Sequence, residues 1–191
     1  MTVTPTPRSQ AKADRRAALL GAAASLFAER GYTRVSLEEL GAAAGISGPA
    51  IYRHFDGKQD VLAAILIDAS SNLCTGAQTV IEHAASARAA LDSLVKFHVE
   101  FALGNADVIR VQDRDLDSLT ASDQHDVRAL QRSYVEQWVG VLAQVHPDAA
   151  TTELRTRAHA TFGLINSTPH SGRAGATHAV LERMALAALD A

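Results

Sequence analysis

The sequence predicts an all-α fold of about nine helices. Apolar residues recur at intervals of three and four along most of the 191 residues, which is the period of a helix with one buried face. Nothing in the sequence indicates a strand, and aromatic residues make up only 5% of the chain. Hydrophobic residues make up 47%, which favours a packed helical protein over a disordered one.

The first segment, MTVTPTPRSQ, contains two prolines and no periodicity, so residues 1–10 are predicted to form a flexible arm. The helix that follows has one apolar face and ends at Gly31. Arg15 and Arg16 before AALLGAAASLFA are also typical of a twin-arginine export signal. The single apolar face and the motif that comes next favour a buried helix instead.

Residues 36–58, SLEELGAAAGISGPAIYRHFDGK, have the pattern of a helix-turn-helix. Ser36 stands three residues before Glu39, which is the spacing of a capping box at a helix start. Gly45 can adopt the left-handed conformation that closes this helix. Ser47 can then cap a second helix, which would enter the major groove of DNA as a recognition helix.

The stretch from Arg15 to Leu66 resembles the DNA-binding domain of the TetR family of one-component bacterial repressors. The segments that match are LFAERGY, SLEEL, AGIS, IYRHF and Lys58. Together they are far more specific than a lone helix-turn-helix pattern. The resemblance implies a three-helix DNA-binding domain over residues 11–58, followed by a helical effector-binding and dimerisation domain over residues 59–191.

The resemblance also implies which residues contact DNA. Tyr52 is expected to place its hydroxyl against a phosphate, and core packing is the alternative role for Tyr52 and His54. The first turn of the recognition helix has no polar side chain in its GPA segment, so base reading falls to Arg53, to apolar contact with a thymine methyl or to backbone amides. An exposed ion pair is the alternative role for Arg53. The expected DNA-binding residues are Ser36, Ser47, Gly48, Pro49, Ala50, Tyr52, Arg53, His54 and Lys58.

The remaining sequence predicts further helices over residues 58–82, 86–105, 108–111, 122–146, from 151 or 152 to 165, and from about 176 to the C-terminus. The turn-rich segment NSTPHSGRAG separates the last two. The run DRDLDS suggests a calcium loop, but its sixth position is Ser118 rather than glycine and its twelfth is Gln124 rather than glutamate. A solvated acidic turn is therefore predicted there. The scattered histidines predict no metal site.

Family members bind a small effector between the middle helices of the C-terminal domain. The candidates here are His98, Phe101, Arg110, Tyr134, Trp138 and Phe162, each with an ordinary core role as its alternative. As a group they indicate a largely apolar effector with one or two polar anchors. The resemblance also implies a homodimer through the last two helices. Small residues that would permit close approach are Ala158, Ala160, Gly163, Ala185 and Ala188.

These observations predict a ligand-responsive repressor that binds a palindromic operator in double-stranded DNA and is released by its effector. The alternatives are an enzyme, for which no catalytic pattern is present, and a non-DNA-binding adaptor or small-molecule-binding protein that retains the fold. The net charge is +2 over residues 1–60 and −5 over residues 61–191, so the basic excess lies with the DNA-binding motif. We expect no cofactor and no membrane span, and the lone Cys74 fits a reducing cytoplasm.

Overall fold

The computed structural model describes residues 7–46, 51–167 and 177–191, apart from the side chains of residues 7–9, 11, 12 and 177. All regular secondary structure in these ranges is helical, which confirms the predicted all-α class. The α-helices of the described ranges are α1 (Pro7–Arg30), α2 (Leu37–Ala43), α3 (Lys58–His83), α4 (Ala87–Gly104), α5 (Ala106–Asp115), α6 (Ala121–Val145), α7 (Thr151–Asn166) and α8 (Thr177–Asp190). Short 3-10 turns span Tyr32–Arg34 and Leu116–Ser118.

The N-terminal helix starts earlier than the sequence pattern suggested. Because α1 begins at Pro7, residues 7–10 belong to this helix and the predicted arm over residues 1–10 is wrong for them. Proline is well suited to a first helical turn, where its missing amide has no partner to lose. Residues 1–6 lie outside the described part of the chain.

The buried apolar residues form two clusters. The C-terminal cluster is centred on α4, α6 and α7, with Trp138 and Leu142 fully buried. The N-terminal cluster joins α1 and α2 to the first turns of α3, and it also includes Val111 of α5 and Val127 of α6. The head, residues 11–58, which is expected to bind DNA, therefore shares its core with three helices of the C-terminal part, and residue 58 is not a packing boundary.

The segment around Asp115 differs from its predicted form. A short helix over residues 108–111 and a solvated acidic turn were expected, but α5 extends over Ala106–Asp115. Asp115 is buried and its carboxylate lies 2.9 Å from Nη2 of Arg114. An ion pair to the neighbouring guanidinium makes this burial tolerable, so the prediction of a solvated turn is wrong for Asp115.

The last two helices pack closely within one protomer. Ala158 of α7 and Ala185 of α8 are fully buried there, so these two small residues allow contact between α7 and α8 of the same chain. Their expected place on an outer dimer surface is therefore wrong. Ala160 and Gly163 are exposed, and Ala188 is half-buried.

Two further properties concern the described residues alone. None of their helices is both long enough and apolar enough to cross a membrane. Within these same ranges, histidine, cysteine and acidic side chains do not gather in groups of three or more that would hold a metal ion.

Candidate DNA-binding surface and ligand cavity

The start of α2 is built by the predicted capping box. Oγ of Ser36 accepts a hydrogen bond from the Glu39 amide at 3.2 Å, and Oε2 of Glu39 accepts one from the Ser36 amide at 2.8 Å. The hydrogen bonds that Ser36 donates to the carboxylate lower the pKa of the Glu39 carboxyl, and Arg30 at 3.1 Å adds to the effect. The hydroxyl of Ser36 is thereby fixed at the positive end of a helix, where a phosphate oxygen is favoured.

The turn after α2 follows the predicted glycine geometry. Gly45 has φ of +66°, in the left-handed region that glycine enters without a Cβ clash. The amide of Ile46 then donates to the carbonyl of Gly41 at 2.8 Å, which closes the helix end. The predicted contacts Ser47, Gly48, Pro49 and Ala50 come next, and they lie outside the described residues.

Residues 51–55, at the end of the predicted recognition helix, have one buried and one exposed side. Ile51 and Phe55 are buried in the N-terminal core, one helical turn apart. Tyr52, Arg53 and His54 between them are exposed, and Tyr52 retains 55% of its surface. This excludes core packing for Tyr52 and His54. Arg53 forms no ion pair with any residue in the described ranges.

Glu38 is a neighbour of Tyr52 that the sequence patterns did not single out. The hydroxyl of Tyr52 donates to Oε1 of Glu38 at 3.2 Å, and this hydrogen bond raises the pKa of the Tyr52 phenol. Both side chains are exposed, so a carboxylate lies directly beside the expected phosphate contact. Its position on α2, fourteen residues away in sequence, left no local signal of the pairing.

Lys58 has a structural partner inside the head. Its Nζ donates to the carbonyl of Tyr32 at 2.8 Å and lies 4.4 Å from the centre of the Tyr32 ring. The ammonium therefore ties the start of α3 to the turn that joins α1 and α2. An ammonium has three donors, so the contact with Tyr32 leaves donors for a phosphate.

A cavity of about 210 Å³ lies where α3, α4, α5, α6 and α7 meet. Three of the six predicted effector residues, His98, Tyr134 and Phe162, line this cavity. Trp138 is fully buried behind them, with its ring centre 5.0 Å from that of Phe162. The other lining residues, which the sequence analysis did not identify, are Ser70, Leu73, Gln112, Gln131, Val135, His159 and Asn166.

The remaining two predicted residues are not part of this lining. Phe101 stacks on His98 with ring centres 6.4 Å apart, so it supports the cavity from outside. Arg110 lies on the exposed side of α5 and pairs with Asp107 at 3.1 Å. The structure thus brings His98, Tyr134, Trp138 and Phe162 together and places Phe101 behind His98. Arg110 lies apart from this group.

A buried hydrogen-bonded chain forms the polar part of the cavity. Nδ1 of His98 lies 2.9 Å from the Tyr134 hydroxyl, and Nε2 lies 3.2 Å from Oδ1 of Asn166. Because Oδ1 of Asn166 only accepts, Nε2 carries the proton and Nδ1 accepts from Tyr134. Burial lowers the pKa of His98 to about 4, so its imidazole is neutral near pH 7. Burial also raises the pKa of the Tyr134 phenol.

The missed lining residues had weak signals in the sequence. Gln112 and Gln131 are amides on helix faces that also carry buried apolar residues, and an amide at such a position needs a partner. Asn166 was assigned to a turn-rich break, yet it is the last residue of α7 and reaches His98. Only the folded helix ends bring Asn166 and His98 together, 68 residues apart in sequence.

The helix α5 connects the cavity to the head. Gln112 lines the cavity, and two residues further on Arg114 donates to the backbone carbonyls of Phe27 and Ala28 at the end of α1. A second link joins Oγ of Ser25 on α1 to Asp107 at 2.8 Å. A displacement of α5 at the cavity would therefore also displace α1, through these hydrogen bonds.

Comparison with known proteins agrees with this architecture. The family described as "Bacterial regulatory proteins, tetR family" matches residues 19–65. A second family, "Tetracyclin repressor-like, C-terminal domain", matches residues 84–170, which contain most of the cavity. The chain belongs to the TetR family. Members of this family are DNA-binding transcriptional regulators with a ligand-binding C-terminal domain, so the expected class of function is confirmed and the family is not one of enzymes.

Individual relatives extend the comparison. The HTH-type transcriptional repressor KstR2 of Rhodococcus jostii is 29% identical over 143 residues, which are 74% of this chain and 70% of that protein. The HTH-type transcriptional activator FasR of Mycolicibacterium smegmatis is 32% identical over 46% of this chain, but the match spans only 40% of FasR. A TetR-family regulator from Bordetella parapertussis has a TM-score of 0.82 and 27% identity, over 92% of this chain and 94% of that structure.

Proposed function

We propose that this protein is a homodimeric repressor that binds a palindromic operator and releases it when a small effector enters the cavity around His98. The observation that carries the proposal is the exposure of Tyr52, Arg53 and His54 between the buried anchors Ile51 and Phe55. The buried side chains of Ile51 and Phe55 anchor this exposed edge to the N-terminal core. Among the relatives, KstR2, which matches the longer part of the chain, is named a repressor.

The proposed DNA contacts are of two kinds: contacts to phosphates, which position the protein on the duplex, and contacts to bases, which recognise the sequence. Ser36 at the capped start of α2, Tyr52, His54 and Lys58 are proposed to bind phosphates, which set register without carrying sequence information. Arg53 has no ionic partner among the described residues, so its guanidinium is available to a guanine edge in the major groove. Ser47, Gly48, Pro49 and Ala50, which lie outside the described residues, remain proposed DNA contacts.

The dimer is proposed to form through the outer faces of α7 and α8. Val180 and Met184 on α8 are exposed, and Met184 retains 50% of its surface. Thr156, Ala160 and Gly163 form an exposed stripe of short side chains on α7. A narrow stripe beside an apolar one allows two copies to pack as a four-helix bundle across a twofold axis.

Effector binding is proposed to act on the distance between the two heads. Ser70 of α3 lines the cavity, and α3 starts at Lys58 in the head, about 18 Å away along the helix axis. The link from α5 to α1 provides a second route. A ligand that binds preferentially to a dimer with displaced heads would weaken operator binding, because two half-sites must lie about 34–36 Å apart or a multiple of that.

The test is selection of binding sites from random duplexes with the purified full chain. We expect a palindromic motif, bound by two copies of the chain. An Arg53→Ala variant should relax the preference at one symmetric base pair, with a loss of roughly 1–3 kcal/mol on the selected site. Recovery of no motif above background would contradict the proposal. An equal loss by Arg53→Ala on selected and scrambled DNA would instead make Arg53 a phosphate contact.

A further inference from the structure

A groove of about 520 Å³ continues outward from the His98 cavity, between α6 and α7. Gln131, Val135 and His159 line both the cavity and the groove, so the two spaces share one wall. Together they have the size of a binding site for an organic molecule larger than the cavity alone would hold.

The groove has an excess of positive charge. Among the described residues, its lining includes Arg128, Arg132 and Arg155 but only one carboxylate, that of Glu136. Glu136 is already engaged, because its Oε1 accepts from Nε and Nη2 of Arg155 at 3.0 and 2.8 Å.

The other two guanidiniums are poorly compensated. Arg128 has a contact of 3.7 Å with Asp117, whose side chain is 90% exposed. Arg132 has no hydrogen bond or ion pair with any other described residue. The two arginines are four residues apart on α6, a spacing at which like charges destabilise a helix. An arrangement that is unfavourable without an anion indicates a place where an anion binds.

The cavity has the opposite character. No Asp, Glu, Lys or Arg is among the described residues that line it, and its polar groups are amides, hydroxyls and imidazoles. His98 is held neutral within the chain from Tyr134 to Asn166. An uncharged molecular fragment fits the cavity, since burying a charge there would lack a compensating partner.

We propose that the effector is an organic anion whose uncharged body occupies the His98 cavity and whose phosphate or carboxylate group binds Arg128 and Arg132 in the groove. This inference rests on the proposed function only in naming the ligand an effector. Guanidinium binds both phosphate and carboxylate through paired N–H donors, and no other side chain offers this fork.

The test uses two fluorescent probes with one ring system. 8-Anilinonaphthalene-1-sulfonate carries a sulfonate, and N-phenyl-1-naphthylamine is its uncharged counterpart. Their affinities are measured on the purified full chain and on an Arg128→Gln/Arg132→Gln variant. We expect the variant to bind the sulfonate about tenfold more weakly and the uncharged probe equally well. Added salt should weaken the binding of the sulfonate probe and leave the binding of the uncharged probe unchanged.

Lys96→Gln is the control for loss of a positive charge, because Lys96 is exposed on α4 and lines neither space. It should leave both probe affinities unchanged. The proposal is overturned if the wild-type chain does not bind the sulfonate, or if the arginine variant binds both probes as the wild type does. An equal loss of affinity for both probes would also overturn it, since the two arginines would then not discriminate the charged group.

Competition identifies the anionic group. Octyl phosphate, octanoate and 1-octanol share one chain and differ only at the head, and each is titrated against the bound sulfonate probe. Displacement by octyl phosphate or octanoate but not octanol supports the proposal and shows which head is preferred, whereas equal displacement by all three contradicts it. These measurements need no DNA, so a failure of the proposed repressor function would be seen separately, in the operator selection.

Discussion

At the residue scale, the two candidate sites differ in how their polar groups are satisfied. Tyr52 and Glu38 are exposed and pair with each other on a surface open to water. His98 and Tyr134 are buried, and their hydrogen bonds are made within the protein. Polar groups of the first kind can exchange partners at little cost when a ligand arrives, whereas those of the second kind fix a cavity wall.

The carboxylate of Glu38 is predicted to limit binding to DNA in general. It lies beside Tyr52, so a phosphate that approaches the tyrosine hydroxyl also approaches a negative charge. Glu38→Gln keeps an acceptor for the hydroxyl and removes the charge. We expect affinity for every DNA sequence to rise about threefold per protomer, which is the size of one screened charge interaction at several ångströms. Fluorescence anisotropy with selected and scrambled duplexes measures this.

Glu39→Gln is the matched control for the Glu38 experiment. It makes the same change in net charge on the adjacent residue, and glutamine preserves the capping box with Ser36. We expect a smaller rise in affinity. If both variants bind DNA equally tightly, the effect belongs to net charge and not to the position beside Tyr52.

Burial of neutral His98 predicts a loss of stability in mild acid. The pKa of His98 is about 4 in the folded protein and about 6.5 when unfolded, so between these values the unfolded chain binds the extra proton. The contribution of His98 is thus fully present above pH 6.5 and declines as the pH falls toward 4. From pH 7 to pH 5 the free energy of unfolding should fall by about 2 kcal/mol on account of this residue.

Urea unfolding of the wild type and of His98→Gln at both pH values isolates that contribution, because the other titrating groups are common to both proteins. The variant is expected to be less stable at pH 7 but to lose about 2 kcal/mol less between pH 7 and pH 5. Parallel pH dependence in the two proteins would show that His98 is not held neutral by the fold.

At the element scale, helix bounds were predicted well where they depend on neighbouring residues in the sequence, and poorly where they depend on packing. The predicted helices over residues 86–105 and 122–146 match α4 and α6 within one residue at each end, because each has a continuous apolar face. The start of α2 followed from its capping box. The helix α5 was predicted too short, since its buried residues Ile109 and Val111 belong to two different clusters.

The candidate sites were predictable to different degrees for the same reason. The exposed residues around Tyr52 lie within one short motif, so the spacing of that motif and its family resemblance were enough to select them as candidate contacts. The cavity is assembled from five helices, so Gln112 comes to line it, and Asn166 becomes a hydrogen-bond partner of His98, only after packing. The contact of Arg114 with α1 joins residues 86 and 87 positions apart, and no periodicity reports such a pairing.

The contact between α5 and α1 is predicted to stabilise the head. Arg114→Met would leave the buried Asp115 without its partner and remove two hydrogen bonds to the end of α1. Because the Arg114 side chain is partly exposed and water can replace some of these contacts, we expect a loss of about 1–2 kcal/mol in the free energy of unfolding. Urea unfolding followed by circular dichroism measures it.

The same substitution at Arg110 serves as the comparison for Arg114. Arg110 lies on the exposed side of α5 and pairs with Asp107 at the surface, where ion pairs contribute less than about 1 kcal/mol. Arg110→Met should therefore be less destabilising than Arg114→Met. Equal losses would mean that Arg114 acts as an ordinary surface residue and does not hold α1.

At the scale of the whole molecule, the proposed dimer must hold its two heads at a defined distance, so its interface and the cavity are proposed to control the same spacing. Met184→Glu places a charge on the exposed face of α8 and is predicted to give a folded monomer that binds the operator at least tenfold more weakly. Light scattering after gel filtration gives the mass. Gln144→Glu adds the same charge at an exposed site on α6 and should remain dimeric. A Met184→Glu dimer of normal affinity would place the interface elsewhere.

The central claim is that occupation of the His98 cavity weakens operator binding, and filling the cavity by mutation tests it most directly. Ser70 is buried on α3 and lines the cavity, which has room for the added volume of Ser70→Leu. The measurement is operator affinity by fluorescence anisotropy for Ser70→Leu and for Ser93→Leu, the same change at an exposed site on α4. Both proteins should be folded dimers. We expect Ser70→Leu to bind the operator about tenfold more weakly, a shift of about 1.4 kcal/mol, and Ser93→Leu to match the wild type. Equal affinity of Ser70→Leu and the wild type would contradict control of the heads from this cavity.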